Sequence, residues 1–164
     1  MKRKSIFKSI LLNFGEIISA AFLIIATIIV IANVFLRYVM NTGIWWTEEV
    51  VTGLFVWSVF LGSAAGYKRH KHIGVDFLLQ KLPDGMQKIV TILVDTILIV
   101  INGYLTYLSI IYVSNSYMKP TAVLGISSVW ISSSLLISFF LMTVYSIIFL
   151  VKTLQDKKQI VGGE

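Results

Sequence analysis

Four stretches of this chain carry no Asp, Glu, Lys, Arg or His: 17–36, 50–67, 96–118 and 120–151, of 20, 18, 23 and 32 residues. A helix needs roughly 20 apolar residues to cross a hydrocarbon core of about 30 Å. No other feature of the sequence restricts its fold as strongly. With 57% hydrophobic and 13% charged residues, too little polar surface remains to wrap a water-soluble core. A soluble enzyme and a nucleic-acid binder are excluded. The net charge of +6 reads against a membrane surface instead. Cysteine is absent, which removes disulfides and thiolate chemistry.

No stretch alternates apolar and polar residues at period two, so a β-barrel is excluded and the spans are helices. The expected fold is an all-α membrane protein in one domain with four transmembrane helices, over 16–36, 49–67, 86–112 and 129–151. The last uncharged run is too long for one span. Pro120, Gly125, Ser127 and Ser128 break its first part into a loop. The N-terminal run resembles a signal peptide only in its basic start; its apolar stretch is too long, and it reads as an uncleaved anchor. Ile6, Phe7, Ile10, Leu11 and Phe14 share one helical side, which predicts an interfacial helix over 1–14. A second interfacial segment is expected within 68–85, closed by Pro83-Asp84-Gly85.

Of the 14 Lys and Arg residues, 12 fall in the N-terminus, the stretch from Lys68 to Lys88 and the tail over 152–164. Basic residues gather on the cytoplasmic side, so both termini are expected there. Tyr38, Trp45, Trp46, Tyr112, Tyr117 and Trp130 would form the aromatic belt at the opposite boundary.

Few residues stand out as site candidates. Arg37 ends the first span, and Glu48 and Glu49 open the second. They form either an ionic clamp across the outer hairpin or a helix start capped by Thr47, with the glutamates at the positive dipole end. Asp95 is the one charge-capable residue inside a span. It is expected to be neutral, buried and hydrogen-bonded to Thr27, Ser58 or Thr143; the other reading is an ion or proton site. Ser58, Gly62 and Gly66 form a small-residue stripe for packing within the chain or onto a partner. Lys68-Arg69-His70-Lys71-His72 reads as a cationic loop for lipid headgroups, not a metal site. No nucleotide, hydrolase or metalloprotease motif occurs, so no catalytic residue, metal or cofactor is expected.

The order Asn33-Val34-Phe35-Leu36-Arg37-Tyr38, Trp46-Thr47-Glu48-Glu49, Trp57, Phe60-Leu61-Gly62 and His72-Ile73-Gly74-Val75-Asp76 resembles the small membrane subunit of tripartite ATP-independent periplasmic (TRAP) transporters. The set covers 33–76, and the four-span layout extends it over most of the chain. The loop over 121–128 departs from the family pattern by lacking a proline. The resemblance implies a bacterial inner-membrane protein paired with a large multi-span subunit and served by a periplasmic solute-binding protein. It also implies ion-driven import of an organic acid, such as sialic acid or a C4-dicarboxylate. Solute and sodium sites would belong to the large subunit. Asn33, Arg37, Tyr38, Trp46, Glu48, Glu49, Trp57, Gly62, Gly66, His72, Asp76 and Asp95 are then candidates for structure or partner contact. The competing readings are a self-sufficient four-helix transporter using Asp95 and a membrane scaffold without transport.

Overall fold

A computed structural model describes residues 14–69 and 83–155. The interfacial helices expected over 1–14 and within 68–85 fall largely outside these residues, and His72 and Asp76 fall wholly outside them. Four helices make up the described chain: α1 (Phe14–Val39), α2 (Thr47–Arg69), α3 (Asp84–Ser116) and α4 (Val129–Gln155). All four are long and apolar enough to cross a membrane, as the uncharged runs predict. α3, with 33 residues, reaches about 50 Å at 1.5 Å per residue and so exceeds a bilayer core.

The extensive helix contacts are α1 with α2, α2 with α4, and α4 with α3. The helices therefore lie in a row ordered α1, α2, α4, α3, with α1 and α3 as its edges. α1 and α2 run antiparallel, as do α3 and α4, whereas α2 and α4 run parallel. The start of α1, the end of α2, the start of α3 and the end of α4 share one end, the termini end. The connections over 40–46 and 117–128 share the other, the loop end.

The interior is small and polar. Among the described residues the buried apolar side chains are Ala26, Ala64 and Phe149, while Ser58, Asp95, Asn102, Ser134, Ser138 and Ser146 are among the buried polar ones. This inversion of a soluble core follows from the solvent. Lipid tails are as apolar as leucine, so large aliphatic side chains gain nothing by moving inward, and close packing of small residues holds helices together. Ser19 and Ser58 donate to each other's backbone carbonyls at 2.8 and 2.9 Å, pinning α1 to α2. A Cβ on Gly62 would come within 2.7 Å of the Ser19 hydroxyl, so only glycine permits this approach. Between α2 and α4, a Cβ on Gly53 would lie 2.0 Å from the Trp130 ring. Trp130, assigned to the aromatic belt from sequence, is thus half-buried against α2, and its backbone carbonyl accepts from Trp57 Nε1 at 2.8 Å.

α1 ends where Asn41 takes a left-handed backbone conformation (φ 53°), a geometry that asparagine tolerates. The loop before α4 closes on itself: Thr121 N–H donates to Ile126 O at 2.7 Å and Ser128 N–H to Lys119 O at 3.0 Å. Gly125 supplies the positive φ of 66° that this turn requires.

Candidate functional site

Asp95, Asn102, Ser109 and Ser116 recur every seven residues along α3, and all four are buried. A seven-residue repeat stays on one face of a helix that packs against a neighbour with a slight left-handed crossing. On α4 the facing positions are Ser132, Ser146 and Thr153, in constant antiparallel register. Ser132 Oγ donates to Ser116 Oγ at 3.1 Å, Asn102 Nδ2 to Ser146 Oγ at 3.3 Å, and Thr153 Oγ1 to Asp95 Oδ2 at 3.1 Å. Thr106 and Thr143 add a hydroxyl pair at 3.1 Å. Tyr67 of α2 joins the middle rung, its hydroxyl 2.7 Å from Ser146 Oγ. One polar node thereby ties three helices together.

Serine and threonine suit this position because their hydroxyls can also donate to a carbonyl four residues back: Ser146 donates to Met142 O while accepting from Asn102, and Thr153 shares its one hydrogen between Asp95 and Phe149 O. No hydroxyl in the ladder is left bare in hydrocarbon. Each bond across such a seam contributes about 0.6 kcal/mol in membrane proteins. The ladder fixes register more than it adds stability. The sequence signal for it was the interval 95–102–109–116, which a search for charges and known motifs passes over.

Asp95 is buried, as expected, but it accepts from Thr153 rather than from Thr27, Ser58 or Thr143. Thr27 donates to its own Leu23 carbonyl, Ser58 engages α1, and Thr143 meets Thr106. The depth was misjudged because it was counted from Met86 as if that residue marked the membrane boundary, whereas the helix, Asp84–Ser116, is longer than a bilayer core. Asp95 lies level with the last turn of α4, at the termini end.

At the loop end, Asn33 Oδ1 accepts from Ile44 N–H at 2.8 Å and orders the short hairpin. Arg37 and Glu48 line one cleft of about 470 Å³ between α1 and α2. The clamp expected there is not formed: Arg37 makes no ion pair with Glu48 or Glu49 among the described residues. An ion pair does form at the termini end, where Arg69 meets Glu16. Glu49 turns instead toward α4, and its carboxylate accepts from Val123 N–H at 2.8 Å and Leu124 N–H at 3.2 Å. Glu49 and the 121–124 loop are more than 70 residues apart in the chain, so nothing in the sequence brings them together, yet the loop's backbone amides compete for the same carboxylate. Of the alternative, the Thr47 cap fails, since its buried hydroxyl has no hydrogen-bond partner, whereas Glu48 and Glu49 do lie in the first turn of α2, at its positive dipole end.

The remaining candidates divide. Trp57 bonds Trp130 and packs edge-on against Phe22, and Gly62 meets α1, so both serve packing within the chain. Trp46 is half-buried at the hairpin. Tyr38 is 79% exposed, and a Cβ on Gly66 would meet nothing within 4 Å.

The arrangement is one of helix-packing bonds, with four spans and an ordered loop end. The family described as "Tripartite ATP-independent periplasmic transporters, DctQ component" matches residues 26–156. The chain belongs to this family. It is accordingly a multi-pass inner-membrane protein and a transporter component. The DctQ match takes in α3 and α4 with their ladder as well as the hairpin motifs that carried the resemblance.

Individual relatives agree. The C4-dicarboxylate TRAP transporter small permease protein DctQ of Vibrio cholerae is 38% identical over 77 residues, 47% of this chain and 33% of that protein. The sialic acid TRAP transporter small permease protein SiaQ of Vibrio cholerae is 25% identical over 128 residues, 78% of this chain and 74% of that protein. The sialic acid TRAP transporter permease protein SiaT of Haemophilus influenzae is 27% identical over 107 residues, 65% of this chain but 17% of that protein. A further Haemophilus influenzae relative, 36% identical, is matched over 53% of its length. The chain thus spans between a third and about half the length of the two relatives matched at 36% and 38% identity.

Proposed function

We propose that this chain is the small membrane subunit of a TRAP transporter, bracing a large permease subunit that carries the solute and ion sites, and itself performs no catalysis. The observation that carries this reading is the use of the intramembrane polar groups. Asp95, Asn102, Thr106, Ser132, Thr143 and Ser146 bond one another or the neighbouring helix. A carboxylate solute needs donors held open toward a cavity, and these groups face packed helices. A sequence like this one forms a sixth of the longer SiaT permease, which supports its working in continuity with a large transport unit.

In this reading both termini face the cytoplasm, following the basic residues, and the loop end faces the periplasm. There it helps to receive a solute-binding protein, with lipid headgroups around the basic termini end. The solute is an organic acid, of the kind named for the relatives. ATP-independent import draws its energy from an ion gradient.

Reconstitution tests this. Liposomes holding this chain with its large subunit and solute-binding protein should take up the organic acid under a sodium gradient. Liposomes holding this chain alone should not, and gradient-driven uptake by the chain alone would overturn the reading.

A further inference from the structure

The two edges of the helix row differ in one chemical respect. The exposed face of α1 through the middle of its span is aliphatic, with Ile24, Ile28 and Ile31 outermost. Its exposed hydroxyl, on Thr27, bonds Leu23 O at 2.8 Å and so stays satisfied in hydrocarbon. The exposed face of α3 carries Tyr104 and Tyr107, 61% and 59% exposed. Among the described residues neither phenol meets a hydrogen-bond partner. A tyrosine hydroxyl sits at the far end of a rigid ring and cannot fold back to its own helix as threonine does.

The depth of these phenols follows from the uncharged run over 96–118, bounded by Asp95 and Lys119, which holds both near its middle. The rungs at Asp95 and Ser116 are 21 residues apart, about 32 Å at 1.5 Å per residue, which matches a hydrocarbon core. Tyr104 and Tyr107 flank its midpoint, too deep for either ring to reach an interface. Bare polar groups at that depth are costly, since lipid tails offer no acceptor. Gly103 points the same way. Glycine inside a helix is less favourable than alanine by roughly 1 kcal/mol, and a Cβ at Gly103 would meet nothing within 4 Å in this chain. Gly53 and Gly62 are each explained by a neighbour inside the chain; Gly103 is not.

We infer that the exposed face of α3 around Val100, Gly103, Tyr104 and Tyr107 is where a transmembrane helix of the large permease subunit docks, presenting backbone carbonyl or hydroxyl acceptors to the two phenols at mid-membrane. This rests on the pairing proposed above. Glycine lets the partner backbone approach closely, and the phenols donate across the contact. The α1 edge, with no unmet polar group at mid-span, faces lipid.

The test uses the complete complex in native membranes, with the photo-reactive residue benzoylphenylalanine placed singly at Tyr104, Tyr107, Ile24 or Ile31. Irradiation should join positions 104 and 107 to the large subunit at least fivefold more efficiently than positions 24 and 31. The double variant Tyr104→Phe/Tyr107→Phe keeps both rings. It should leave the melting of the isolated subunit unchanged while reducing recovery of the large subunit several-fold. Cross-links from α1 with none from α3, or equal yields from both edges, would overturn the inference while leaving the pairing intact. A product joining two copies of this chain through position 104 or 107 would overturn it in favour of self-association. Full recovery of the large subunit by the double variant would overturn the role of the hydroxyls. If no large subunit co-purifies with the unmodified chain, the pairing itself fails, and the inference with it.

Discussion

The seam between α1 and α2 and the seam between α3 and α4 join neighbouring antiparallel helices by opposite means. α1 and α2 meet through small size: Gly62 admits Ser19, and one reciprocal serine pair closes the contact. α3 and α4 meet through a ladder of side-chain bonds repeated at heptad spacing over about 32 Å. The first seam centres on one close approach, flanked by the Phe22–Trp57 ring contact and the Glu16–Arg69 ion pair, whereas the second repeats one pattern over its whole length. In lipid, where burial of aliphatic surface does not drive association, these are the two available routes to adhesion. A local shape fails all at once, whereas a distributed ladder loses strength by increments.

Gly62→Leu should have the largest effect. The added side chain enters the space held by the Ser19 hydroxyl, and such overpacking costs about 1–3 kcal/mol or more. Because the chain has no native cysteine, a Gly15→Cys/Ala65→Cys pair can report the seam; a Cβ on Gly15 would sit 3.6 Å from that of Ala65. Disulfide formation should be efficient in the parent and largely lost with Gly62→Leu, while a reporter across α3 and α4 stays unaffected. Loss of both together would show that the seams are not independent.

Asp95 comes next. Asp95→Asn keeps an acceptor for Thr153 and should hold stability within about 0.5 kcal/mol. Asp95→Leu removes the acceptor, but Thr153 retains Phe149 O, which limits the loss to about 1–2 kcal/mol. Unfolding in detergent measures both. If transport by the full complex fails with Asp95→Asn while assembly survives, Asp95 has a titrating role beyond packing.

Ser146→Ala should cost less, about 1 kcal/mol, for two bonds of roughly 0.6 kcal/mol each. Asn102 Nδ2 and Tyr67 OH remain 3.4 Å apart and can keep the node closed. Adding Asn102→Ala should cost more than the two single changes summed, because Tyr67 then loses its last partner there. Simple additivity in detergent melting would show that the node does not act as a unit.

The sequence made some of this visible and hid the rest for definite reasons. The four spans were legible because an uncharged run of bilayer length has few other uses, and Pro120 and Gly125 marked the loop before α4. The ladder was written in the sequence as 95–102–109–116, yet serine and asparagine are neutral on hydropathy scales and read as filler. The lateral order of helices was not legible. Alternating spans give each helix a direction but no neighbour beyond the one a short loop enforces. Asp95 was assigned its partners by counting depth from Met86, and that count fails when a helix extends past the membrane.

The loop end supplies the smallest expected effect and tests how charges behave outside both seams. Opposite charges near Arg37 suggested an ionic clamp, but proximity in sequence does not decide which donor a carboxylate takes. Two backbone amides in a preformed loop are already aligned, whereas a guanidinium on a long exposed side chain loses rotamer freedom to pair. Glu49 accordingly holds Val123 and Leu124, and Arg37 stands over an open cleft. Arg37→Ala should leave the melting of the isolated subunit within about 0.5 kcal/mol of the parent. Glu49→Ala should leave the α1–α2 seam intact while freeing the 121–124 loop, so hydrogen exchange at the Val123 and Leu124 amides should quicken several-fold. The charge-swapped pair Arg37→Glu/Glu49→Arg should rescue neither property, because the two residues do not meet. Restoration of parent melting or exchange by that swap would show that the clamp forms after all, and that Glu49 divides its time between the hairpin and the loop.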